Sequence, residues 1–239
     1  MSHRLLNPRL LRRHLREARW WLLDYGYAAT RQAQAFLSRA RPTDFRSGVK
    51  APILIIPGVY ESWSFMRPLI QTLHDHGHPV HVVAKLGRNR RSLADAAATV
   101  AAYLERENLT DVVIVAHSKG GLIGKLLMTT DAPGRRVSAM VAISAPFGGS
   151  RYARYWVVPS IRAFAPANAA LHDLGLDRRA NDRITSIYGV FDPHIPEGSE
   201  LAGARNFELN VGGHFRILAD PATVQAVLDA VTDAAAPAV

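Results

Sequence analysis

Ser118, Asp192 and His214 are the residues whose types and neighbours point most directly to chemistry. Ser118 lies in Ala116-His117-Ser118-Lys119-Gly120-Gly121, just after the apolar run Val112-Val113-Ile114-Val115-Ala116 and at the start of a helical pattern. A serine on a tight strand-to-helix turn is forced outward at the rim of a sheet. The turn needs small residues two before and two after it, because side chains there would collide with neighbouring backbone. Ala116 and Gly120 supply them. Spelling alone decides little, since small-x-Ser-x-Gly arises by chance about 0.2 times in a chain of this composition. Placement between strand and helix is what favours a nucleophile over a serine that merely caps a helix beside packing glycines.

A serine hydroxyl is a poor nucleophile until a base takes its proton, and the usual base is a histidine oriented by a carboxylate. Both follow in the chain order serine, acid, histidine. Asp192 stands in Gly189-Val190-Phe191-Asp192-Pro193 after one strand-like run, and His214 stands in Val211-Gly212-Gly213-His214-Phe215 after another. Each has a plainer reading, an Asp-Pro turn for Asp192 and a helix start after glycines for His214. Asp220 follows His214 too closely to be the first choice of acid. His194 is a candidate substrate contact, and His117 is expected to pack beneath the serine turn. A developing oxyanion needs N–H donors, one from the residue after the serine, Lys119, and one from the loop after the first strand. That loop is Pro57-Gly58-Val59-Tyr60-Glu61-Ser62, so Val59 is the expected second donor and Tyr60 a candidate substrate contact. His74, His76, His78 and His81 cluster in sequence, but no carboxylate spacing around them matches a metal motif, and no metal is expected.

These residues need a scaffold that brings loops from distant positions to one rim. Ile53–Ile56, Val80–Ala84, Val112–Ala116, Val137–Ser144, Ile184–Val190 and Phe207–Val211 read as strands. Residues 63–76, 92–107, 119–129 and 221–234 read as helices between or after them. Strands alternating with helices give βαβ crossovers and a mostly parallel sheet covered on both faces. In such sheets ligands bind beyond the carboxyl ends of the strands, where every loop named above falls. The stretch 148–182 is too long for a simple connection and reads as a lid-like insertion.

The chain has 239 residues, enough for one α/β domain, and no cysteine, which excludes disulfides, a thiolate nucleophile and a cysteine zinc site. Its net charge of +9 is uneven: residues 1–50 hold 11 Lys and Arg against 3 Asp and Glu, leaving the rest nearly neutral. The basicity therefore belongs to an arm, residues 1–48, ahead of a catalytic domain at 49–239, and no nucleic-acid groove is expected in the main body. Leu11, Leu15, Ala18, Leu22, Tyr25, Ala29, Ala33 and Phe36 place the arm's apolar residues on one helical face, with Arg12, Arg13, Arg16 and Arg19 largely off it. Gly26 weakens its middle, so two helices are an alternative to one. The simplest expectation is a helix packed on the body with its arginines in solvent. The sharper one is contact of residues 1–45 with an anionic membrane surface, aided by Trp20 or Trp21. Without a long apolar run or a signal-peptide pattern, a cytoplasmic location, with peripheral membrane contact, is the expectation.

The segments Ile-Ile-Pro-Gly-Val at 55–59, Ala-His-Ser-Lys-Gly-Gly at 116–121, Ser-Ala-Pro-Phe-Gly-Gly-Ser at 144–150, Phe-Asp-Pro-His-Ile-Pro at 191–196 and Gly-Gly-His-Phe at 212–215 together resemble the α/β-hydrolase family, in its small esterase and lipase branch. Two departures stand out. Pro57 replaces a histidine common in the oxyanion loop, and Lys119 occupies a position often apolar or neutral. The resemblance implies a doubly wound α/β-hydrolase fold, nucleophile Ser118, acid Asp192, base His214, no metal or organic cofactor, and a lid within 148–182. Tyr152, Tyr155, Trp156 and Phe164 would then form an apolar acyl pocket or lipid-facing lid. The function implied is hydrolysis of carboxylic esters, including lipid esters. The alternatives are acyl transfer by the same triad and a non-catalytic scaffold that binds ligands or membranes.

Overall fold

Near-continuous apolar runs bury on both faces, and they assemble here into a single parallel sheet. The computed structural model describes residues 8–155 and 157–235. Its strands are β1 (Ile53–Ile56), β2 (Val80–Val82), β3 (Val112–His117), β4 (Val137–Ile143), β5 (Ile184–Phe191) and β6 (Arg205–Gly212), in the order β2-β1-β3-β4-β5-β6. Every pairing is parallel. All residues of β1, β2 and β3 are buried, whereas β6 closes one edge with a largely exposed, charge-bearing run that discourages pairing with another chain.

The helices are α1 (Pro8–Leu37), α2 (Arg67–Asp75), α3 (Leu93–Arg106), α4 (Lys119–Met128), α5 (Asp131–Gly134), α6 (Pro159–Arg162), α7 (Ala169–Leu176) and α8 (Pro221–Ala235). Leu54 and Ile56 of β1 point into one core with α3, α4 and α7, and Ile53 and Ile55 point into a second with α2 and α8. Period-2 alternation along one strand thus feeds both layers. Ser92 starts α3 by accepting from the Asp95 N–H at 3.1 Å, and Asn168 starts α7 by accepting from the Leu171 N–H at 3.1 Å. The 148–182 stretch forms a short 3-10 turn at Arg151–Tyr155, then α6 and α7, between β4 and β5. Trp156, expected in an acyl pocket, and the arm's first seven residues lie outside the described residues.

The arm differs from expectation in two ways. Gly26 does not split it: α1 is one helix from Pro8 to Leu37. The helix packs on the body, but of the described residues of its apolar stripe only Tyr25, at the stripe's edge, meets the body there, its ring 5.5 Å from that of His194 and 6.4 Å from that of Phe215. Leu15, Ala18, Leu22, Ala29, Ala33 and Phe36 are all exposed. The face turned to the body carries Trp20, Asp24, Tyr27 and Arg31, spaced four, three and four apart. The Arg31 guanidinium donates to the carbonyls of Ser64 and Phe65 at 3.1 and 3.2 Å, and Tyr27 meets Phe65 edge-on at 6.3 Å between ring centres. A helix has two long faces, and specific polar contacts have decided which one docks.

The serine turn depends on glycine where the chain passes closest to itself. A Cβ on Gly120 would lie 2.1 Å from the Ile56 carbonyl oxygen, and one on Gly121 would lie 2.5 Å from the Ala145 Cβ. Backbone against backbone cannot yield cheaply. Gly120→Ala is expected to lower unfolding free energy by about 2 kcal/mol or more in denaturant titration. Gly26→Ala, which meets nothing within 4 Å, should raise it by about 0.5–1 kcal/mol. Equal effects of the two would contradict this packing.

Candidate active site

Because β3, β5 and β6 run parallel, their carboxyl ends share one rim, and the three loops leaving them carry Ser118, Asp192 and His214. Ser118 sits at φ 52°, a left-handed conformation unusual for a residue with a side chain. Its N–H donates to the Ile143 carbonyl at 2.9 Å. The hydroxyl Oγ lies 3.0 Å from Nε2 of His214, and the His214 Nδ1 lies 2.7 Å from Oδ2 of Asp192. Residues separated by as many as 96 positions thus form one continuous hydrogen-bonded path, and all three side chains are shielded from solvent.

Asp192 satisfies both of its sequence readings at once. Oδ1 accepts from the N–H groups of His194 and Ile195 at 2.7 and 3.0 Å, forming the Asp-Pro turn. Oδ2 is left for His214. Burial alone would raise this carboxyl's pKa, but the His214 charge and these hydrogen bonds outweigh burial and hold it below the ordinary carboxylate value. For His214 burial again opposes the charged form. The adjacent Asp192, with Glu61 and Asp24 behind it, overcomes that and raises the imidazole above its ordinary value. Asp220 lies elsewhere, with Oδ1 accepting from the Ala222 N–H at the start of α8.

His194 lines the same cavity, its ring centre 5.0 Å from that of His214. Burial first, and then the His214 charge, lower its pKa to about 4, so it is neutral at physiological pH. The turn that carries it is tied down by Ser150, whose hydroxyl donates to the His194 carbonyl at 2.6 Å.

The Pro57–Glu61 loop faces Ser118. The Gly58 N–H donates to Glu61 Oε2 at 2.7 Å, and the Tyr60 N–H donates to the Arg88 carbonyl at 2.8 Å. Among the described residues the N–H groups of Val59 and Lys119 have no acceptor within the protein, so both expected oxyanion donors are uncommitted. The Lys119 side chain is buried, and its Nζ donates to the carbonyls of Asn89, at 2.9 Å, and Arg91. Asn89 in turn donates from Nδ2 to the Pro57 carbonyl at 2.7 Å. Lys119 therefore ties the Ser118 turn to the Pro57–Glu61 loop, and burial lowers its pKa to about 8.

A cavity of about 300 Å³ opens over Ser118 and His214. Val59, Phe65, Pro146, Ile161 and Phe164 supply apolar wall, Tyr60 and Tyr152 lie on it, and Tyr25, Ala28 and Gln32 of α1 complete one side. Tyr155 is not among its lining residues. That side chain is 70% exposed, with the Arg154 guanidinium over its ring. The four clustered histidines go separate ways: His74 to the Ser47 hydroxyl, His76 to the Thr72 carbonyl, His78 to the Ala51 carbonyl and His81 to the Tyr103 hydroxyl. Among the described residues no three potential metal ligands converge.

Three contributors carry no sequence signal for this role. Asp24, fully buried on α1, accepts through Oδ1 from the N–H groups of Phe215 and Arg216 at 2.7 and 2.8 Å, pinning the turn just after His214. Trp20, one turn earlier, covers Gly212, where a Cβ would fall 2.1 Å from its ring, and stacks on Phe191 beside Asp192. The third contributor is Glu61, paired with His117 Nδ1 at 2.9 Å. The His117 Nε2 lies 2.9 Å from the His214 carbonyl oxygen, which can only accept, so that nitrogen carries a proton. His117 does lie beneath the turn, where it braces the backbone of the catalytic-type histidine.

No protein-family model matches the sequence, and no curated protein does. Solved structures do resemble it. The Bacillus licheniformis lipase BlEst2 in mature form aligns at TM-score 0.63 and 15% identity over 80% of this chain and 96% of its own. A putative non-heme bromoperoxidase, BpoC, from Mycobacterium tuberculosis H37Rv aligns at 0.60 and 17% over 79% and 94%. MGS-MChE2, an alpha/beta hydrolase enzyme from the metagenome of Mar Chica lagoon sediments, aligns at 0.55 and 15% over 77% and 90%.

The raised pKa of His214 has a consequence for rate. A base must be neutral, so kcat/KM for a soluble ester should fall as pH drops through a midpoint above the ordinary imidazole value of 6.5. Asp24→Asn keeps an acceptor but removes a charge that helps hold the His214 proton, and should move that midpoint to lower pH. Asp24→Ala also frees the 215–216 backbone and should cost roughly 10–100-fold in kcat/KM. A profile unchanged in both variants would show that Asp24 does not act on His214.

Proposed function

We propose that this chain, which has the α/β-hydrolase fold, hydrolyses carboxylic esters through an acyl-enzyme on Ser118. The observation that carries the reading is the unbroken contact from Ser118 Oγ to His214 to Asp192 beneath an apolar cavity. His214 Nε2 takes the hydroxyl proton as Oγ attacks the ester carbonyl. The carbonyl oxygen gains the negative charge and is met by the N–H groups of Val59 and Lys119, each such donor contributing roughly 3–4 kcal/mol to the transition state. Collapse of the tetrahedral species breaks the bond to the alcohol, which leaves with the proton from His214. Water then gives a proton to His214 and attacks the acyl-enzyme. A second collapse releases the carboxylic acid and returns the proton to Ser118. Asp192 keeps Nδ1 protonated and Nε2 free to accept, and its charge stabilises the transient imidazolium.

The cavity suits an acyl group. Phe164, Ile161 and Phe65 offer apolar surface, and neutral His194 lines the same cavity as the polar group that would meet the ester, with Tyr152 also on the wall and the Tyr60 hydroxyl held 3.1 Å from that of Ser160. A site of this size, mostly apolar with few polar groups, matches the usual design of small-molecule pockets. The intact relay weighs against a scaffold that only binds.

The purified chain should hydrolyse p-nitrophenyl esters, and an acyl-length series would report the reach of the cavity. Ser118→Ala should lower kcat by a factor on the order of 10⁴ or more while leaving unfolding free energy within about 1 kcal/mol of wild type. Equal turnover by Ser118→Ala and wild type would overturn the assignment.

A further inference from the structure

We propose that the outward face of α1 is a docking surface for an anionic phospholipid bilayer, which seats the mouth of the Ser118 cavity at the lipid interface. The surface itself stands on three features of α1. First, apart from Tyr25 at its edge, the apolar stripe is exposed: Leu15, Leu22 and Phe36 are 62%, 71% and 82% exposed, with Ala18, Ala29 and Ala33 between them. Second, charge around the stripe has one sign. Arg12 and Arg19 are exposed beside it, and Arg16 lies farther round, its guanidinium over the Trp20 ring at 4.9 Å, whereas the two acids of α1 are withdrawn, Asp24 into the body and Glu17 into a 2.7 Å pair with Arg13. Arginines flanking an apolar stripe complement anionic headgroups over an acyl boundary. Third, α1 spans 30 residues, yet no helix among the described residues is long and apolar enough to cross a membrane. That combination belongs to a helix lying in the interface rather than through it.

Polar body-side contacts give this arrangement its direction. Asp24, Arg31 and Gln32 hold α1 by bonds to Phe215 and Arg216, to Ser64 and Phe65, and to the Tyr60 carbonyl. The flank between the docked face and the apolar stripe carries Tyr25 and Gln32, which line the cavity. A bilayer under the stripe therefore lies beside the α1 wall of the cavity, whose lining also includes half-exposed Tyr152. The substrate class this implies, a lipid ester drawn from the bilayer, rests on the ester-hydrolase reading; the docking surface does not.

Co-sedimentation of the full chain with two kinds of vesicle, phosphatidylcholine alone and phosphatidylcholine with phosphatidylglycerol, tests the surface. The chain should bind the anionic vesicles, bind phosphatidylcholine weakly, and dissociate as salt is raised. Leu22→Glu and Phe36→Glu should each weaken binding at least about tenfold, and a triple Arg→Gln change at 12, 16 and 19 roughly a hundredfold. Hydrolysis of a soluble ester should stay within about twofold of wild type in every variant, so loss of lipid binding is separable from failure of the hydrolase reading. Equal binding to both vesicles, no binding by folded wild type, or a dimer that Leu22→Glu converts to monomer would overturn the proposal, the last by assigning the stripe to a second copy of the chain.

Discussion

Asp192 keeps its charge in a place where an isolated carboxylate would pay a desolvation cost of several kcal/mol. Two backbone N–H groups and the His214 imidazole replace the water it gives up. The three contacts also set the geometry around it. Oδ1 fixes the turn that begins with Pro193, and Oδ2 fixes the tautomer and plane of His214, which aims Nε2 at Ser118 Oγ. Remove the carboxylate and the imidazole loses both its orientation and the field that raises its proton affinity. The sheet's role is to hold the ends of β3, β5 and β6 close enough for these contacts to form. The glycines beside Ser118 allow its turn to press against β1.

A second layer of bonds keeps the relay in register. His117 and Glu61 brace the His214 carbonyl from below, and Lys119 and Asn89 tie the Pro57–Glu61 loop to the Ser118 turn. Asp24 and Trp20 reach the loops of both acid and base from a helix at the other end of the sequence. Residues 8–37 are therefore not an appendage to a finished α/β body. They supply one wall of the cavity and one anchor of the histidine, while their apolar side is left facing outward.

Much of this was legible in the sequence, for physical reasons that differ by element. The strand runs at 53–56 and 112–116 are buried on both faces and so read as unbroken apolar text, and the small residues around Ser118 are demanded by a close approach of backbone. The helix at 93–106 carries its own start signal in Ser92 and Asp95. What was not legible depends on partners far away in the chain. An aspartate within a basic helix carries no local mark of capping a turn nearly two hundred residues later. The apolar period of α1 was correctly read as a face, but periodicity cannot say whether a face meets protein or something else. Glu61 and the Lys119 side chain were hidden likewise, since each becomes meaningful only when two loops meet. Of the two places the resemblance allows Tyr155, an acyl pocket or an outward-facing lid, a short 3-10 turn gives it the outward one, and nothing in the residue's type could distinguish them.

The central claim is that the Ser118 hydroxyl is activated by its two distant partners, and a fluorophosphonate probe reads that property without assuming a substrate. The natively folded chain, labelled and digested, should yield one modified peptide, with the adduct on Ser118, and labelling should be lost in His214→Ala although the serine remains. An adduct on another serine, or undiminished labelling of Ser118 in the His214→Ala protein, would contradict the account.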